Sequence, residues 1–181
     1  MATSIAIKDS KPILGLFAQT AASTPVVNTT TETTILNGGV GTLSVPPNGF
    51  QVADSFHAIL SGALSADNNN TLQIRVKSGA IILGDSGIIT LPGITAKFFD
   101  INLNFTIRTI GAAGVASIAT SGQFTYSKNA SNAFEGVDFF FINNTTFDTT
   151  IANALDVTAE WGTASLNNSI GTEIFVLNKI Y

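Results

Sequence analysis

The chain has 181 residues, enough for one domain with its own core, and no cysteine, which excludes disulfides, thiolate metal sites and a cysteine nucleophile. Only 11% of its residues are charged, against about 25% in an average soluble protein, so its hydrophilic surface has to come from Thr, Ser, Asn and Gly. The formal charge is −4, and the cations (Lys8, Lys11, Arg75, Lys77, Lys97, Arg108, Lys128, Lys179) form no basic patch, which argues against nucleic-acid binding.

Residues 1–30 read as an extended arm. Short apolar pieces (Ile5, Ile7; Ile13, Leu14, Leu16, Phe17) are broken by Pro12 and Pro25. Such a segment either lies on its own domain or adds a strand to a neighbour's sheet edge. The domain proper is expected over residues 31–181. Thr31–Leu36 and Val40–Val45 read as short strands around the Asn37-Gly38-Gly39 turn signal. Phe56–Ala66 puts Phe56, Ala58, Leu60 and Leu64 on one face. Asp67–Asn70 turns the chain, and Thr71–Ser78 alternates cleanly, with Leu72, Ile74 and Val76 on one side. Ile81–Leu83 and Ile88–Leu91 are expected as a small hairpin closed by Gly84-Asp85-Ser86-Gly87.

Residues 98–126 form the clearest element, a long hairpin. Phe99, Ile101, Leu103, Phe105 and Ile107 alternate with polar residues, Gly111–Gly114 makes the turn, and Ala116, Ile118, Phe124 and Tyr126 return. Residues 127–148 read as an irregular, aromatic segment. Thr150–Trp161 is a strand, and Gly171–Tyr181 is the last one, apolar on both faces: Ile174 and Val176 one way, Phe175 and Leu177 the other. Two covered faces imply a second cover beyond the chain's own core. With a mean hydropathy of +0.35 and few charges to keep copies apart, another subunit is the expected cover, at Phe175, Leu177 and Tyr181. Eight to ten strands without an amphipathic helix predict an all-β, antiparallel β-sandwich or barrel.

Chemistry is sparse. Gly84–Gly87 matches the GDSG string of chymotrypsin-like serine proteases over four residues, but Ile88-Ile89 follows, and the single histidine, His57, lies too near in sequence. Asp67-Asn68-Asn69-Asn70 starts like a calcium loop and lacks the rest of one. Asp54, Asp85, Asp100, Glu135, Asp138, Asp156 and Glu160 supply carboxylates that sequence cannot pair. No enzyme activity, cofactor or metal is expected. No apolar run approaches the roughly 20 residues that span a bilayer, and the N-terminus lacks a secretory pattern. Trp161, Phe139 and Phe140 are the aromatic candidates for stacking on sugar rings.

The stretches Phe134-Glu135-Gly136, Asn143–Ile151 and Leu155–Gly162, followed by the C-terminal strand, resemble virion proteins of tailed phages: single-jelly-roll capsid decoration (cement) proteins and fibre heads. The resemblance implies a jelly-roll sandwich, commonly trimeric and without enzymatic activity. The leading expectation is a homotrimeric decoration protein on the outer capsid surface, with Ile5, Ile7, Ile13, Leu14, Leu16 and Phe17 gripping the major capsid protein. The alternative is a fibre or spike head that binds a host glycan. Neither nucleic acid nor membrane is an expected partner.

Overall fold

The computed structural model describes residues 14–129 and 133–181, which hold thirteen strands, all paired antiparallel, and no helix. The first five strands are short: β1 (Leu14–Gln19), β2 (Val26–Val27), β3 (Thr33–Thr34), β4 (Gly39–Gly41) and β5 (Ser44–Val45). The body follows as β6 (Ser55–Ala66), β7 (Asn70–Ser78), β8 (Ile81–Leu91), β9 (Ile94–Thr109) and β10 (Ser117–Ser127). The chain finishes with β11 (Phe134–Asn143), β12 (Asn153–Trp161) and β13 (Ser169–Lys179).

These strands form two sheets. The larger runs β11-β10-β9-β6-β13-β1-β4, with β2 beside β13; the smaller runs β3-β12-β7-β8, with β5 beside β12. Setting aside β2, β4, β5 and the β10–β11 extension leaves eight strands. In chain order they stand first-last-third-sixth in one sheet (β1-β13-β6-β9) and second-seventh-fourth-fifth in the other (β3-β12-β7-β8). That order is compatible with the jelly-roll pattern. The fold class is therefore an all-β antiparallel sandwich, as the alternating sequence predicts.

The core lies between the sheets and is built from the residues that alternation nominates. Ala58, Leu60 and Leu64 of β6, Leu72, Ile74 and Val76 of β7, and Phe99, Ile101, Leu103 and Ile107 of β9 are fully buried. Ile118, Phe124 and Tyr126 of β10 join them, with Phe99, Phe124 and Tyr126 stacked at centroid distances of 6.0 and 5.7 Å. Gly111 and Gly114 take positive φ in the β9–β10 turn, where a side chain would be strained.

Three expectations about local structure are corrected. First, residues 14–27 do not stand apart from residues 31–181: they lie on the chain's own domain, one of the two placements the sequence leaves open. Antiparallel β1 pairs with β13 and β4, β2 pairs with β13, and Phe17 and Val26 are buried. The reason is that β13, apolar on its inner face, needs a neighbour on each side, and β1 supplies the second. Of the predicted arm contacts, Ile5, Ile7 and Ile13 lie outside the described residues. Second, Gly84–Gly87 does not close a hairpin. Strand β8 continues through it, and the Gln73–Ile88 and Arg75–Asp85 pairs leave Ser86 and Gly87 together opposite Ile74: a β-bulge, with Gly87 at φ +65°. Third, residues 134–143 are a regular strand, paired with β10 over ten consecutive positions.

Candidate functional site

Every second side chain of a sandwich strand faces away from the core, so the outer face of the larger sheet is read from the residues between the core positions. The registers place Val40 of β4 beside Ala18 of β1, Ala18 beside Val176 of β13, and Val176 beside Ile59 of β6. This is an apolar row across four strands. Val40 is 72% exposed, and Ile174, one outward position along β13, is 55% exposed. Ala18 is exposed, and Ile59 and Val176 are half-buried.

The same row turns polar on the next strands, through Asn102 of β9, Gln123 of β10 and Asp138 of β11. The adjacent row runs Asn178, His57, Asn104, Ser121, Phe140. His57 Nε2 lies 2.9 Å from Asn102 Oδ1, so the histidine is held in an amide network on this face. At the edge, Phe134, Phe140 and Ile142 of β11 are exposed, Phe140 by 74%. The face thus has an apolar half on β4, β1, β13 and β6, a hydroxyl- and amide-rich half on β9 and β10, and an apolar margin on β11. Asp100, within the polar half, is held above the ordinary carboxylate range by desolvation.

The residues predicted for this surface are redistributed. Phe175 and Leu177 point inward and are 0% and 5% exposed; Phe175 packs on Phe17 at 5.5 Å. They cannot serve as an oligomer interface, because the chain's own second sheet already covers them. Tyr181 remains exposed, with its backbone bonded to Ser55. Trp161 is buried, and its indole N–H donates to the Val26 carbonyl at 3.0 Å. Phe139 is buried as well. Of the three aromatic candidates for sugar stacking, only Phe140 reaches solvent. Of the predicted arm contacts that are described, Phe17 is in the core, Leu16 is half-buried and Leu14 is exposed. Sequence reading missed Ile59, Ala18, Val40 and Val176 as a set. Their signal was parity: each occupies the opposite phase from a core residue.

The smaller sheet carries most of the organised charge. Arg75 on β7 meets Glu160 on β12 at 2.6 Å, Glu32 at 3.2 Å and Asp85 on β8 at 3.6 Å, while Lys77 meets Glu32 at 3.1 Å. The Glu160 hydrogen bond heads the causes that hold the Arg75 guanidinium above its ordinary value. Burial pushes the Glu32 carboxyl up, but the Thr158 hydroxyl, Lys77 and Arg75 outweigh it and leave the group below the usual glutamate range. Glu32, Asp85 and Glu160 are thus bound to one guanidinium, which is a structural use of carboxylates. Ser86 is equally committed: its Oγ accepts from the Ile74 N–H and its hydroxyl donates to the Gly87 carbonyl. His57 is on the other sheet, so the structure does not bring Ser86 and His57 together as a pair. Asp67 accepts from Ser165 and Asn167, in that order of effect, which keeps its carboxyl low and ties two end loops together. Among the described residues no cluster of three or more His, Cys, Asp and Glu is placed to hold a metal.

A scan against protein families finds no match, and comparison with curated proteins finds none. Among solved structures, the chain is similar to the CBM2 module of the evolved Dit of Lactobacillus casei BL23 phage J-1. The two are 9% identical with a TM-score of 0.26, over 75% of this chain and 65% of that one. This chain therefore spans just under two thirds of that module's length. A likeness this distant says nothing about what either surface of this chain binds.

Proposed function

We propose that the chain is a non-enzymatic structural protein of a phage particle: a homotrimeric decoration protein on the outer capsid surface that clamps neighbouring major capsid subunits. The observation that carries this reading is the Ile59–Val176–Ala18–Val40 row with Ile174 beside it. Two sheets already enclose one core, and this second apolar surface faces out from the same strands. Covering it against another copy or a shell protein removes apolar area from water, and binding that requires the assembled lattice stabilises the lattice over its free parts. A surface so poor in charge opposes such packing only weakly. The role calls on no cofactor, nucleic acid or membrane. The organised polar groups support the same reading, since Arg75, Ser86 and His57 are all engaged in structural contacts.

Quantitative mass spectrometry of purified particles tests it. Hundreds of copies per particle are expected, with loss of the protein from shells when Val40→Glu and Ile174→Glu are introduced. A handful of copies confined to the tail overturns the decoration role. It would favour a second reading, a fibre or spike head that binds a host glycan. That reading draws on Phe140, which stands in register with Ser121 and one outward position from Gln123. Its own test is a glycan array with Phe140→Ala.

A further inference from the structure

The two sheets are unequal in width, and the mismatch leaves a space at one end of the sandwich. Near the start of β6 and the end of β13, the larger sheet faces two-residue β5, the 46–54 loop and the adjoining ends of β7, β8 and β12. Between them lies a half-open cavity of about 180 Å³. One wall is aromatic. Phe50 packs edge-on against Phe56 at 6.1 Å and against Phe147 at 5.8 Å, and Leu155 closes the facing side. At the rim Lys179 Nζ meets the buried Asp54 carboxylate at 2.5 Å and stands 5.9 Å from the centre of the Phe56 ring. The other Asp54 oxygen accepts from the Gln51 N–H at 2.9 Å.

We infer that this cavity binds a small apolar ring compound bearing one neutral oxygen acceptor. Size comes first: an apolar protein cavity of about 150 Å³ takes up benzene, so this one admits a benzene ring with one or two further heavy atoms. The lining is apolar, so the body of the ligand is too. The rim selects the head. An ammonium has three N–H donors, and Asp54 takes one of them, which leaves Lys179 able to donate to an oxygen at the mouth. Because the Asp54 carboxylate sits against that same ammonium, a second anion there is repelled. A hydroxyl or carbonyl oxygen is therefore favoured over a carboxylate. The inference stands independently of the role proposed above.

Amide-resolved NMR titration of the full chain tests it, with benzyl alcohol as the probe and benzoate as the charged comparison. Saturable one-to-one binding of benzyl alcohol is expected, with shifts confined to residues 50–56, 147–155 and 177–179. Benzoate should bind about tenfold more weakly or less. In Leu155→Trp the indole occupies the space, and affinity should fall by about tenfold or more. Absence of saturation, shifts spread over the outer face, equal binding of benzoate, or unchanged affinity in a folded Leu155→Trp each overturns the inference. If that variant does not fold, the shift map and the benzoate comparison on the unmodified chain decide it. If benzyl alcohol leaves these amides unmoved and they shift instead with protein concentration, a side chain of a second copy is the occupant and the ligand inference fails.

Discussion

Arg75 is the residue on which the smaller sheet's electrostatics turn. Three carboxylates, Glu32, Asp85 and Glu160, converge on it, and its side chain is only 18% exposed. Arg75→Met keeps the aliphatic stem and leaves the carboxylates facing one another. A loss of about 1–3 kcal/mol at pH 7 is expected, read from urea unfolding, because partly buried charges lose their partner. The pH dependence follows from the same contacts. Glu32 lies below its ordinary value of 4.5 in the folded chain, so it binds protons less readily there than when unfolded. Its contribution is present above about 4.5 and disappears as pH falls through the folded value. In Arg75→Met that contribution shrinks, since Glu32 keeps Lys77 but loses the Arg75 guanidinium. The stability difference between the two proteins should therefore narrow between pH 5 and pH 3. A gap that stays constant on acidification would show that Arg75 acts through packing alone.

Alternation along single strands made most of the elements readable. β7 and the Phe99–Ile107 part of β9 keep apolar and polar residues in phase, and β6 and β10 do so apart from outward Ile59 and inward Thr120; the structure follows the pattern. β11 was hidden because Phe139-Phe140-Phe141-Ile142 are all apolar, which erases the period-two signal. Its register with β10 restores it: Phe139 goes in and Phe140 goes out. β8 reads as two strands from sequence because Gly, Asp and Ser serve a bulge as readily as a turn, and only the partner strand distinguishes them. Close approach of strands is another property that no single strand reveals. At Gly122, in the middle of β10, an added Cβ would stand 2.1 Å from the Asn102 carbonyl oxygen. Gly122→Ala must push β9 and β10 apart, and a loss of about 1–3 kcal/mol is expected in thermal or urea unfolding. Gly38→Ala is the control. Nothing lies within 4 Å of its Cβ, so its stability should stay within about 0.5 kcal/mol of the parent.

For the whole molecule, the decisive quantity is which of the two apolar surfaces the chain covers by itself. It covers the Phe175 and Leu177 side with its own second sheet and leaves the Val176 and Ile174 side outward. If the outer row is an interface between copies, the purified protein has a mass above that of one chain. Val40→Glu combined with Ile174→Glu should then reduce the mass to that of a monomer. Both positions are more than half exposed, so the fold should be kept within about 0.5 kcal/mol. Light scattering after size exclusion reads the mass, and thermal melting checks the fold. A parent protein that is already monomeric removes the homotrimer from the proposal and leaves docking to a shell protein as the row's only use.

The sequence by itself determined the all-β class, most strand positions, the core residues of the long hairpin and the surplus of apolar side chains. These are properties of short-range alternation and composition, and they need no knowledge of neighbours. Which face of β13 turned inward, whether Trp161 met water, and whether residues 14–27 stood apart were decided only by the tertiary structure. The physical reason is that a strand apolar on both faces satisfies burial equally in either orientation. The choice falls to the strands beside it and the sheet across from it. Here β1 and β6 fix the register of β13, and the smaller sheet takes up Phe175 and Leu177. Ile174 and Val176 are left facing outward.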